Sequence, residues 1–360
     1  MTYTIAHNII CIISEKSLEK RGIKIMAKIK IFFKRIASGS FKRLFNNVSL
    51  VHNESGKPSI IIFFDMIFCM FAYGVGYLEY VTFGFAYIHR KKRKTFFTMN
   101  DNIALVKELN NKEYSDIFTN KTLFNKRFSN YLKRDFVDLN DGYEAFEAFC
   151  KSKDNFFAKQ PVSFGGLGVK KIELNEKTDL RTLYSKLMDN KMTLAEETII
   201  QHPKMNELCD KSINTIRIVT ILDNKGKAHH VYSLIRVGNG KSNVDNVTSG
   251  GMYTLVENDG IITHPFFCDK TVSYYDVHPY SKVTFKGFEI PFYKEAVELC
   301  KKAALIEPHM RYIGWDISIT PDGPVLVEGN NIPGYDMCQN HRFHDDGCGM
   351  KAVFDKILSN

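Results

Sequence analysis

Near its C-terminal end the chain reads YIGWDISITPDGPVLVEGNNIPG, in which two strand-like runs flank the turn Pro321-Asp322-Gly323-Pro324. Proline, aspartate and glycine in this order favour a tight turn, so the segment predicts an antiparallel hairpin. Successive side chains of a strand point to opposite faces. In the first strand we therefore expect Asp316 on the polar face, and on the apolar face Ile313, Trp315, Ile317 and Ile319. In the second strand we expect Val325 and Val327 on the core side, with Glu328 and Asn330 opposite.

The polar face of this hairpin predicts a magnesium site. Asp316, Glu328 and Asn330 would bring two carboxylates and an amide oxygen together. Such hard oxygen ligands suit one or two Mg²⁺ ions, which accept phosphate oxygens in their remaining positions. The alternative is a surface hairpin whose polar residues are merely solvated. Three oxygen ligands across one turn favour the metal site.

The charge of the chain is unevenly distributed. Residues 1–100 contain sixteen Lys or Arg and five Asp or Glu, whereas residues 101–360 contain 33 and 35. The basic excess lies beside long apolar stretches, and no nucleic-acid reader motif accompanies it, so we expect no nucleic-acid partner and a potential contact with an anionic membrane surface. Eight cysteines without a CxxC pair argue against a zinc site or a disulfide framework. They indicate a cytoplasmic protein, with peripheral membrane contact as an option.

The N-terminal region holds two segments with alternative interpretations. Ten Lys or Arg alternate with apolar residues between Glu15 and Arg43, which is typical of a basic amphipathic helix in a bilayer interface or of a solvated helix. The stretch from Ser59 to Leu78 has Asp65 as its one charged residue and nearly the length of a membrane span. The alternative is a buried or interface-dipping helix pair.

After about residue 97 the pattern predicts a mixed α+β body with antiparallel sheets. We expect helices at Ile103–Leu109, Lys121–Lys133, Tyr143–Lys151, Leu180–Asp189 and Phe292–Ala304. We expect strands at Asn155–Lys159, Val169–Glu173, Met192–Gln201, Thr215–Asp223, His230–Val237, Met252–Glu257, Tyr312–Thr320 and Pro324–Asn330. The predicted domains are residues 1–98, 99–197 and 198–360.

Further segments contain residues suited to phosphate or nucleotide contact. In FFAKQPVSFGGLGVKKIEL a strand ends at Lys159 and is followed by a loop of small residues, which lets backbone N–H groups approach phosphate oxygens. Because a strand follows the loop, it is not a P-loop, and a simple turn is the alternative. Glu196 and Glu197 end another strand, where they could hold a ribose or lie on an exposed edge. Arg217 interrupts an apolar strand and needs an anionic partner, either an acid or a phosphate.

Together these segments resemble the ATP-grasp superfamily, and more narrowly its sugar-transfer-associated branch. The resemblance rests on the order of NKTLFNKRF, AKQPVSFGGLGV, EETIIQHPKMNEL, SINTIRIVTI, RVGNGKSNVDNVTSGGMY and GWDISITPDGPVLVEGNNIPG, and it spans roughly residues 58–337. It implies an ATP-grasp fold, with two α+β subdomains clasping ATP, preceded by a basic, aromatic-rich helical region.

The resemblance also implies roles for individual residues. Lys121 and Lys159 match lysines that touch ATP phosphates. The flexible lid over them would contain Ser163, Gly165, Gly166 and Gly168. The adenine and ribose hinge would contain Glu196, Glu197, Thr198 and Ile199. Magnesium would bind Asp316, Glu328 and Asn330.

For the acceptor side, the resemblance implies that Arg217 steadies the transferred phosphate. The acceptor would meet Arg236, Asn246, Gly250 and Gly251. The catalytic set is thus Lys159, Arg217 and Arg236. His202 and His278 could contact substrate, although a structural histidine is the alternative for each.

The implied activity is ATP-dependent ligation of a carboxylate to an amine through an acyl phosphate. The branch suggests surface polysaccharide biosynthesis, with a sugar acid or lipid-linked glycan and an amine or amino acid as partners. The alternatives are a phosphotransferase acting on a sugar and a non-catalytic, membrane-associated scaffold. The sequence leaves the oligomeric state open.

Overall fold

The computed structural model of the protein describes residues 41–163, 168–241 and 250–359. The chain divides into two compact units, residues 1–87 and 88–360. The domain boundaries expected after residues 98 and 197 stay predictions. Most of the basic segment between Glu15 and Arg43 lies outside the described residues.

The first unit is helical over its described part. Its helices are α1 (Phe41–Ser55), α2 (Ser59–Tyr73) and α3 (Tyr77–Thr82). Helix α2 is followed by Gly74, whose φ of 73° is the left-handed conformation that glycine adopts without strain. The Glu79 carboxylate accepts a hydrogen bond from Gly76 N at 2.7 Å and so caps α3. The predicted helical N-terminal region is confirmed for these residues.

A membrane span was one interpretation of Ser59–Leu78. Over the described residues no single helix has both the length and the apolar character needed to cross a bilayer. The bent pair Arg43–Ser55 and Ser59–Tyr73, with 120° between its helices, meets both criteria jointly.

The second unit contains two antiparallel sheets and nine further α-helices within the described residues. The helices are α4 (Met99–Leu109), α5 (Asp116–Thr119), α6 (Lys121–Arg127), α7 (Ser129–Leu132), α8 (Tyr143–Cys150), α9 (Leu180–Asp189), α10 (Pro203–Asn206), α11 (Tyr293–Ala304) and α12 (Lys351–Leu358). The strands are β1 (Phe136–Asp138), β2 (Asn155–Lys159), β3 (Val169–Glu173), β4 (Leu194–Glu197), β5 (Ile216–Leu222), β6 (Ala228–Val237), β7 (Met252–Val256), β8 (Phe266–Cys268), β9 (Ser273–Tyr275), β10 (Tyr312–Thr320) and β11 (Gly323–Asn330). The α+β class is confirmed.

The smaller sheet has the strand order β1-β4-β2-β3. Helices α8 and α9 supply the apolar residues that cover it, among them Phe146, Phe149 and Leu187. These pack on Phe156 and Ala158 of β2. Side chains of β2 point alternately to the two faces of the sheet, and Phe156 and Ala158 point to the core. Lys159 therefore lies on the face opposite the helices.

The larger sheet has the order β11-β10-β5-β6-β7-β8-β9. Its core face contains Ile313, Trp315, Ile317 and Ile319, as the alternation in β10 predicts. Helix α11 packs on this face through Ala296, Cys300, Ala303 and Ala304. The opposite face therefore presents the polar residues of the central strands.

The predicted alternation in β11 was wrong for both Val327 and Val325, the latter of which pairs with Ser318 on the face opposite the core cluster. Asp316 pairs with Glu328, but the next residue, Ile317, pairs with Leu326, so Val327 forms a bulge. One extra residue reverses the side-chain alternation that follows it. Leu326 consequently lies in the core, and Val327 lines a cleft on the other side.

Candidate functional site

A cleft of about 560 Å³ lies between the smaller sheet and the chain that leads into β5. Its walls include the apolar side chains Phe157, Val169 and Val327. The residues predicted for nucleotide contact that line it are Lys159, Glu196, Glu197, Thr198 and Ile199. Most of the other lining residues are polar or charged, so the cleft combines apolar walls with groups that can orient a small molecule.

Glu196 anchors the inner end of this cleft. Its carboxylate accepts hydrogen bonds from Lys159 Nζ at 2.7 Å, Arg134 Nε at 3.0 Å and Asn125 Nδ2 at 2.9 Å. Burial by itself would raise the pKa of Glu196, but Arg134 and Lys159 outweigh it and lower the pKa to about 2. Glu196 is thus ionised and fixes the position of Lys159.

The next three residues form the segment that leaves the smaller sheet. The Glu197 carboxylate accepts a hydrogen bond from Asp135 N at 3.0 Å, and Lys153 Nζ lies 3.8 Å from it. The Thr198 hydroxyl donates to Asn155 Oδ1 at 2.5 Å. These contacts hold Glu197 and Thr198 in place, and Thr198 and Ile199 line the wall of the cleft; their role as a nucleotide hinge stays a prediction.

Lys121 lies at the start of α6, which Asn120 caps by accepting hydrogen bonds from two backbone N–H groups. Its ammonium group donates to Ser163 O at 2.6 Å and to Ser163 Oγ at 3.1 Å. Burial lowers the pKa of Lys121, and Lys159 lowers it further, whereas Glu328 and Glu196 oppose the change. Lys121 therefore lies within electrostatic reach of both the cleft and the predicted metal ligands.

The small-residue loop joins β2 to β3. Gln160 N donates to Gly168 O at 2.8 Å and closes the hairpin. Gly168 has a φ of 69°, and a β-carbon there would lie 2.6 Å from Gln160 Oε1. Another residue would be strained at this position, which favours glycine. The predicted lid residues Gly165 and Gly166 lie outside the described residues.

Asp316 is buried between two arginines. Its Oδ2 lies 2.9 Å from Arg217 Nη2 and 2.8 Å from Arg236 Nη2, and its Oδ1 accepts from Arg217 Nε. Burial would raise the pKa of Asp316, but the two arginines hold it well below its usual range. The anionic partner that Arg217 requires is this carboxylate.

Glu328 and Asn330 lie beside Asp316 on the same face. Burial raises the pKa of Glu328, and the neighbouring Asp316 carboxylate, with which it shares a hydrogen bond, raises it further. Asn330 Nδ2 donates weakly to Gly314 O at 3.5 Å, and no described residue donates to its Oδ1. The buried carboxylate of Asp316, the partly buried carboxylate of Glu328 and an amide oxygen are a chemical fit for a divalent cation, which would relieve the repulsion between the acids. Among described residues, no three His, Cys, Asp or Glu form a metal-binding group, so the predicted site depends on Asn330.

A strand glycine makes room for Arg217. A β-carbon at Gly314 would lie 3.1 Å from Arg217 Cδ, because the arginine side chain crosses Gly314 on its way to Asp316. A glycine within a strand often marks such a close approach. This signal was present in the sequence of β10 and was not used in the prediction.

The residues predicted for acceptor contact do not lie together in the structure. Arg236 donates to Thr215 Oγ1 at 2.7 Å as well as contacting Asp316. Gly250 lines a second cavity of about 520 Å³, and Gly251 follows it as a buried residue. His278 is fully buried, with one ring nitrogen 2.8 Å from Gly238 O and the other accepting from Tyr280 N, so it has a structural role. Asn246 lies outside the described residues.

Arg134 is a functional candidate that the sequence did not reveal. Besides Glu196 it donates to Leu326 O at 2.6 Å and to Val327 O at 3.3 Å. It therefore ties β11 of the larger sheet to β4 of the smaller one. A lone arginine before a three-residue strand carries no sequence signal of this role.

A family model described as sugar-transfer associated ATP-grasp matches residues 136–342, more than half of the chain. The match begins later than the expected resemblance and excludes Lys121. No curated protein matches the chain.

Several solved structures are similar to the chain. D-alanine-D-alanine ligase from Coxiella burnetii is 11% identical, with 71% of this chain and 63% of that chain covered and a TM-score of 0.41. The corresponding ligase from Bacillus anthracis is 16% identical, with coverage of 71% and 73% and a TM-score of 0.39. N5-carboxyaminoimidazole synthetase from Staphylococcus aureus, complexed with ADP, is 12% identical, with coverage of 61% and 46% and a TM-score of 0.39. The chain thus spans less than two thirds of the Coxiella and Staphylococcus proteins.

Proposed function

The chain belongs to the sugar-transfer associated ATP-grasp family, and from this we propose that it is an ATP-dependent ligase that joins a carboxylate to an amine. The observation that carries the proposal is the position of Arg134. Its guanidinium group donates hydrogen bonds to the Glu196 carboxylate in the cleft and to the backbone carbonyls of Leu326 and Val327, which directly precede Glu328. This supports a single site in which the groups suited to phosphate lie next to those suited to a divalent cation.

In this proposal the cleft holds ATP. The adenine lies against the apolar walls and the hinge segment Thr198–Ile199. Lys159, fixed by Glu196, and Lys121 contact the phosphates as point charges. To do so, Lys121 exchanges its hydrogen bonds with Ser163 for bonds to phosphate oxygens.

Asp316, Glu328 and Asn330 would hold Mg²⁺, which when bound neutralises charge on the phosphoryl oxygens. Arg217 and Arg236 are preoriented by Asp316, and they stabilise the charge that develops on the transferred group. Because both guanidinium groups are already fixed by the protein, little reorganisation is needed when the reaction occurs.

The proposed reaction has two steps. A substrate carboxylate oxygen attacks the γ-phosphorus in line, the bond to ADP breaks, and an acyl phosphate forms. A neutral amine then attacks the acyl carbon, the tetrahedral intermediate expels inorganic phosphate, and the amine loses a proton. The products are an amide, ADP and phosphate. Water must be excluded until the amine arrives, since it would hydrolyse the acyl phosphate.

We propose a sugar acid or a lipid-linked glycan as the carboxylate substrate and an amino acid or another amine as the second substrate. The family description, which associates this ATP-grasp branch with sugar transfer, supports this choice. The proposed role is in surface polysaccharide biosynthesis, in the cytoplasm and peripheral to the inner face of a membrane.

The test is a reaction of the full-length protein with ATP, Mg²⁺ and a panel of uronic acids and amines. Phosphate release is measured, and the product is identified by mass spectrometry. We expect amine-dependent phosphate release and an amide product. ADP release that needs no amine and yields a phosphorylated sugar would instead identify a phosphotransferase, and absence of nucleotide binding would support a scaffold.

Glu328→Gln and Lys159→Ala should abolish turnover while leaving the circular dichroism spectrum unchanged, because one removes a metal ligand and the other a phosphate contact. Glu298→Gln is the matched control, since Glu298 lies on α11 in an exposed pair with Lys301. Full activity in Glu328→Gln or Lys159→Ala would remove that residue from the mechanism.

A further inference from the structure

A second cavity, of about 520 Å³, lies in the second unit at the end of strands β6 and β7. Met252, the first residue of β7, lines this cavity and pairs with Val237, the last residue of β6. Val237 directly follows Arg236, whose guanidinium group contacts Asp316. The cavity therefore begins one residue beyond an arginine of the proposed catalytic group.

The charged residues described at the walls of this cavity are lysines. Lys241 and Lys270 both line it, and its described lining residues include no Asp or Glu. Both lysines are exposed, and neither forms an ion pair with a described residue. In the nucleotide cleft, by contrast, Lys159 is paired with Glu196. Two cations without a neighbouring acid attract an anionic ligand to the second cavity.

Two glycines let side chains of the cavity lie directly against the backbone. A β-carbon at Gly250 would lie 3.4 Å from Lys270 Cδ, so the aliphatic stem of the lysine lies along this glycine. A β-carbon at Gly240 would overlap the ring of Tyr280. Close approaches of this kind favour glycine. The lysine stem and the tyrosine ring thus pack on the ends of the loop that joins β6 to β7.

Tyr280 connects this cavity to the nucleotide cleft. Its backbone N–H donates to His278 Nδ1 at 3.1 Å, and His278 Nε2 lies 2.8 Å from Gly238 O. Its hydroxyl group donates to Asp210 Oδ1 at 3.2 Å, and Asp210 lines the cleft. The cavity and the cleft are therefore neighbours, and the contact between Tyr280 and Asp210 lies between them.

The other walls of the cavity suit a carbohydrate. Pro279, Tyr275 and Tyr280 line it and offer apolar surface to the C–H groups of a sugar ring. The hydroxyl groups of Thr271 and Tyr275 lie 3.4 Å apart, and each can donate or accept a hydrogen bond with a sugar hydroxyl. Apolar walls with a few polar groups are typical of sites for small molecules. Together with the lysines, these walls favour an anionic sugar.

The lysines are separated from the proposed reacting centre. Gly250, along which Lys270 lies, is three residues before Tyr253, and Tyr253 pairs with Arg236 in the sheet. Three residues of extended chain correspond to about 10 Å. A ligand that contacts both Arg236 and the lysines therefore carries two anionic groups, one at each end.

We propose that this cavity binds the sugar part of the carboxylate substrate, and that Lys241 and Lys270 bind a second anionic group on that sugar, away from the reacting carboxylate. The shared chemistry of the second group is an oxyanion, carried as a phosphate ester or as a second carboxylate. This deepens the proposed function and rests on it for the role of the first carboxylate. Binding in the cavity itself requires no turnover.

The test measures the binding of three probes to the full-length protein by isothermal titration calorimetry, in the presence of Mg²⁺ and ADP. Glucuronic acid carries one carboxylate, glucaric acid carries two, and glucuronic acid 1-phosphate carries a carboxylate and a phosphate. ADP is included to fill the nucleotide cleft, so that the probes report the cavity. We expect at least one dianionic probe to bind at least about tenfold more tightly than glucuronic acid. The tighter of the two identifies the source of the second group.

Lysine variants assign this preference to the cavity. Lys241→Met and Lys270→Met remove a charge and keep most of the side-chain volume. We expect each variant to bind the dianionic probe about tenfold more weakly, with ADP binding and the thermal unfolding midpoint unchanged. Lys270→Arg, which keeps the charge, should retain most of the affinity. Lys286→Met is the matched control, because Lys286 is an exposed lysine of the same unit that does not line the cavity.

Three results would overturn the proposal: no binding of any probe, equal affinity for all three, or dianionic-probe binding that survives both lysine substitutions. An equal loss in Lys286→Met would also overturn it, since the attraction would then be non-specific. The ligase function fails separately. Lysine-dependent binding without amide formation would support the cavity and count against ligation, whereas amide formation unaffected by Lys241→Met and Lys270→Met would count against the cavity alone.

Discussion

The second unit contains two buried carboxylates, Glu196 and Asp316, each paired with two cationic side chains. The two groups differ in net charge. Glu196 pairs with Lys159 and Arg134, and Asp316 pairs with Arg217 and Arg236. The first group carries a net charge of +1, which suits a phosphate. In the second group Glu328 adds a further acid, so two cations face two carboxyl groups.

The two groups also differ mechanically. Arg134 extends from Glu196 to the backbone of β11 and joins the two sheets. Arg217 and Arg236 stay within the larger sheet, Arg217 on β5 beside β10 and Arg236 on β6 beside β5. The Glu196 group therefore works as a clasp between sheets, and the Asp316 group works as a fixed electrostatic surface. Each distinction can be tested by substitution.

The largest effect is expected at Asp316. Asp316→Ala would remove the anionic partner of the buried Arg217 side chain, and breaking such a buried pair costs about 3–5 kcal/mol of unfolding free energy. Urea denaturation measures the change. Asp322→Ala in the exposed turn of the same hairpin is the control and should stay within about 0.5 kcal/mol of wild type. A loss below about 1 kcal/mol for Asp316→Ala would contradict the assigned role of the carboxylate.

We expect the charge of Glu196 to make the free energy of unfolding depend on pH. Because the pKa of Glu196 falls from 4.5 to about 2 on folding, its contribution is fully present above pH 4.5 and is lost as the pH falls through 2. The shift corresponds to about 3 kcal/mol.

Unfolding free energies of wild type and Glu196→Gln should therefore converge as the pH is lowered from 7 to 3. Glu298→Gln, at an exposed position, should differ little from wild type throughout. If the difference in unfolding free energy between wild type and Glu196→Gln stays constant with pH, the charge of Glu196 contributes little to stability.

The smallest effect on stability is expected at Gly314. In Gly314→Ala the new β-carbon would lie 3.1 Å from Arg217 Cδ, so the arginine must move by a few tenths of an ångström. We expect a loss of about 1 kcal/mol in unfolding free energy and a larger proportional loss in kcat/KM, because the guanidinium group is displaced from the site. Gly334→Ala, whose nearest neighbour would be Met337 Cε at 3.7 Å, is the matched control. Equal kcat/KM for the two variants would argue against the importance of Arg217 placement.

Turn residues and side-chain periodicity in the sequence were sufficient to predict the bounds of several strands and one helix. The strands Asn155–Lys159, Val169–Glu173 and Tyr312–Thr320 and the helix Leu180–Asp189 were predicted with their observed bounds. They are bounded by turn residues or show clear periodicity. The three-residue strands β1, β8 and β9 were missed, because a run that short has no measurable alternation.

By itself, the sequence determined the α+β class, the position of the C-terminal hairpin and the residue types that make the site. It did so because turn chemistry and side-chain alternation act over a few residues. Only the tertiary structure decided the bulge at Val327, the partners of Glu196 and Asp316, and the reach of Arg134 between sheets. These contacts join residues as far apart as Arg134 and Leu326, and the balance of burial and charge that selects them exists only after the sheets have packed.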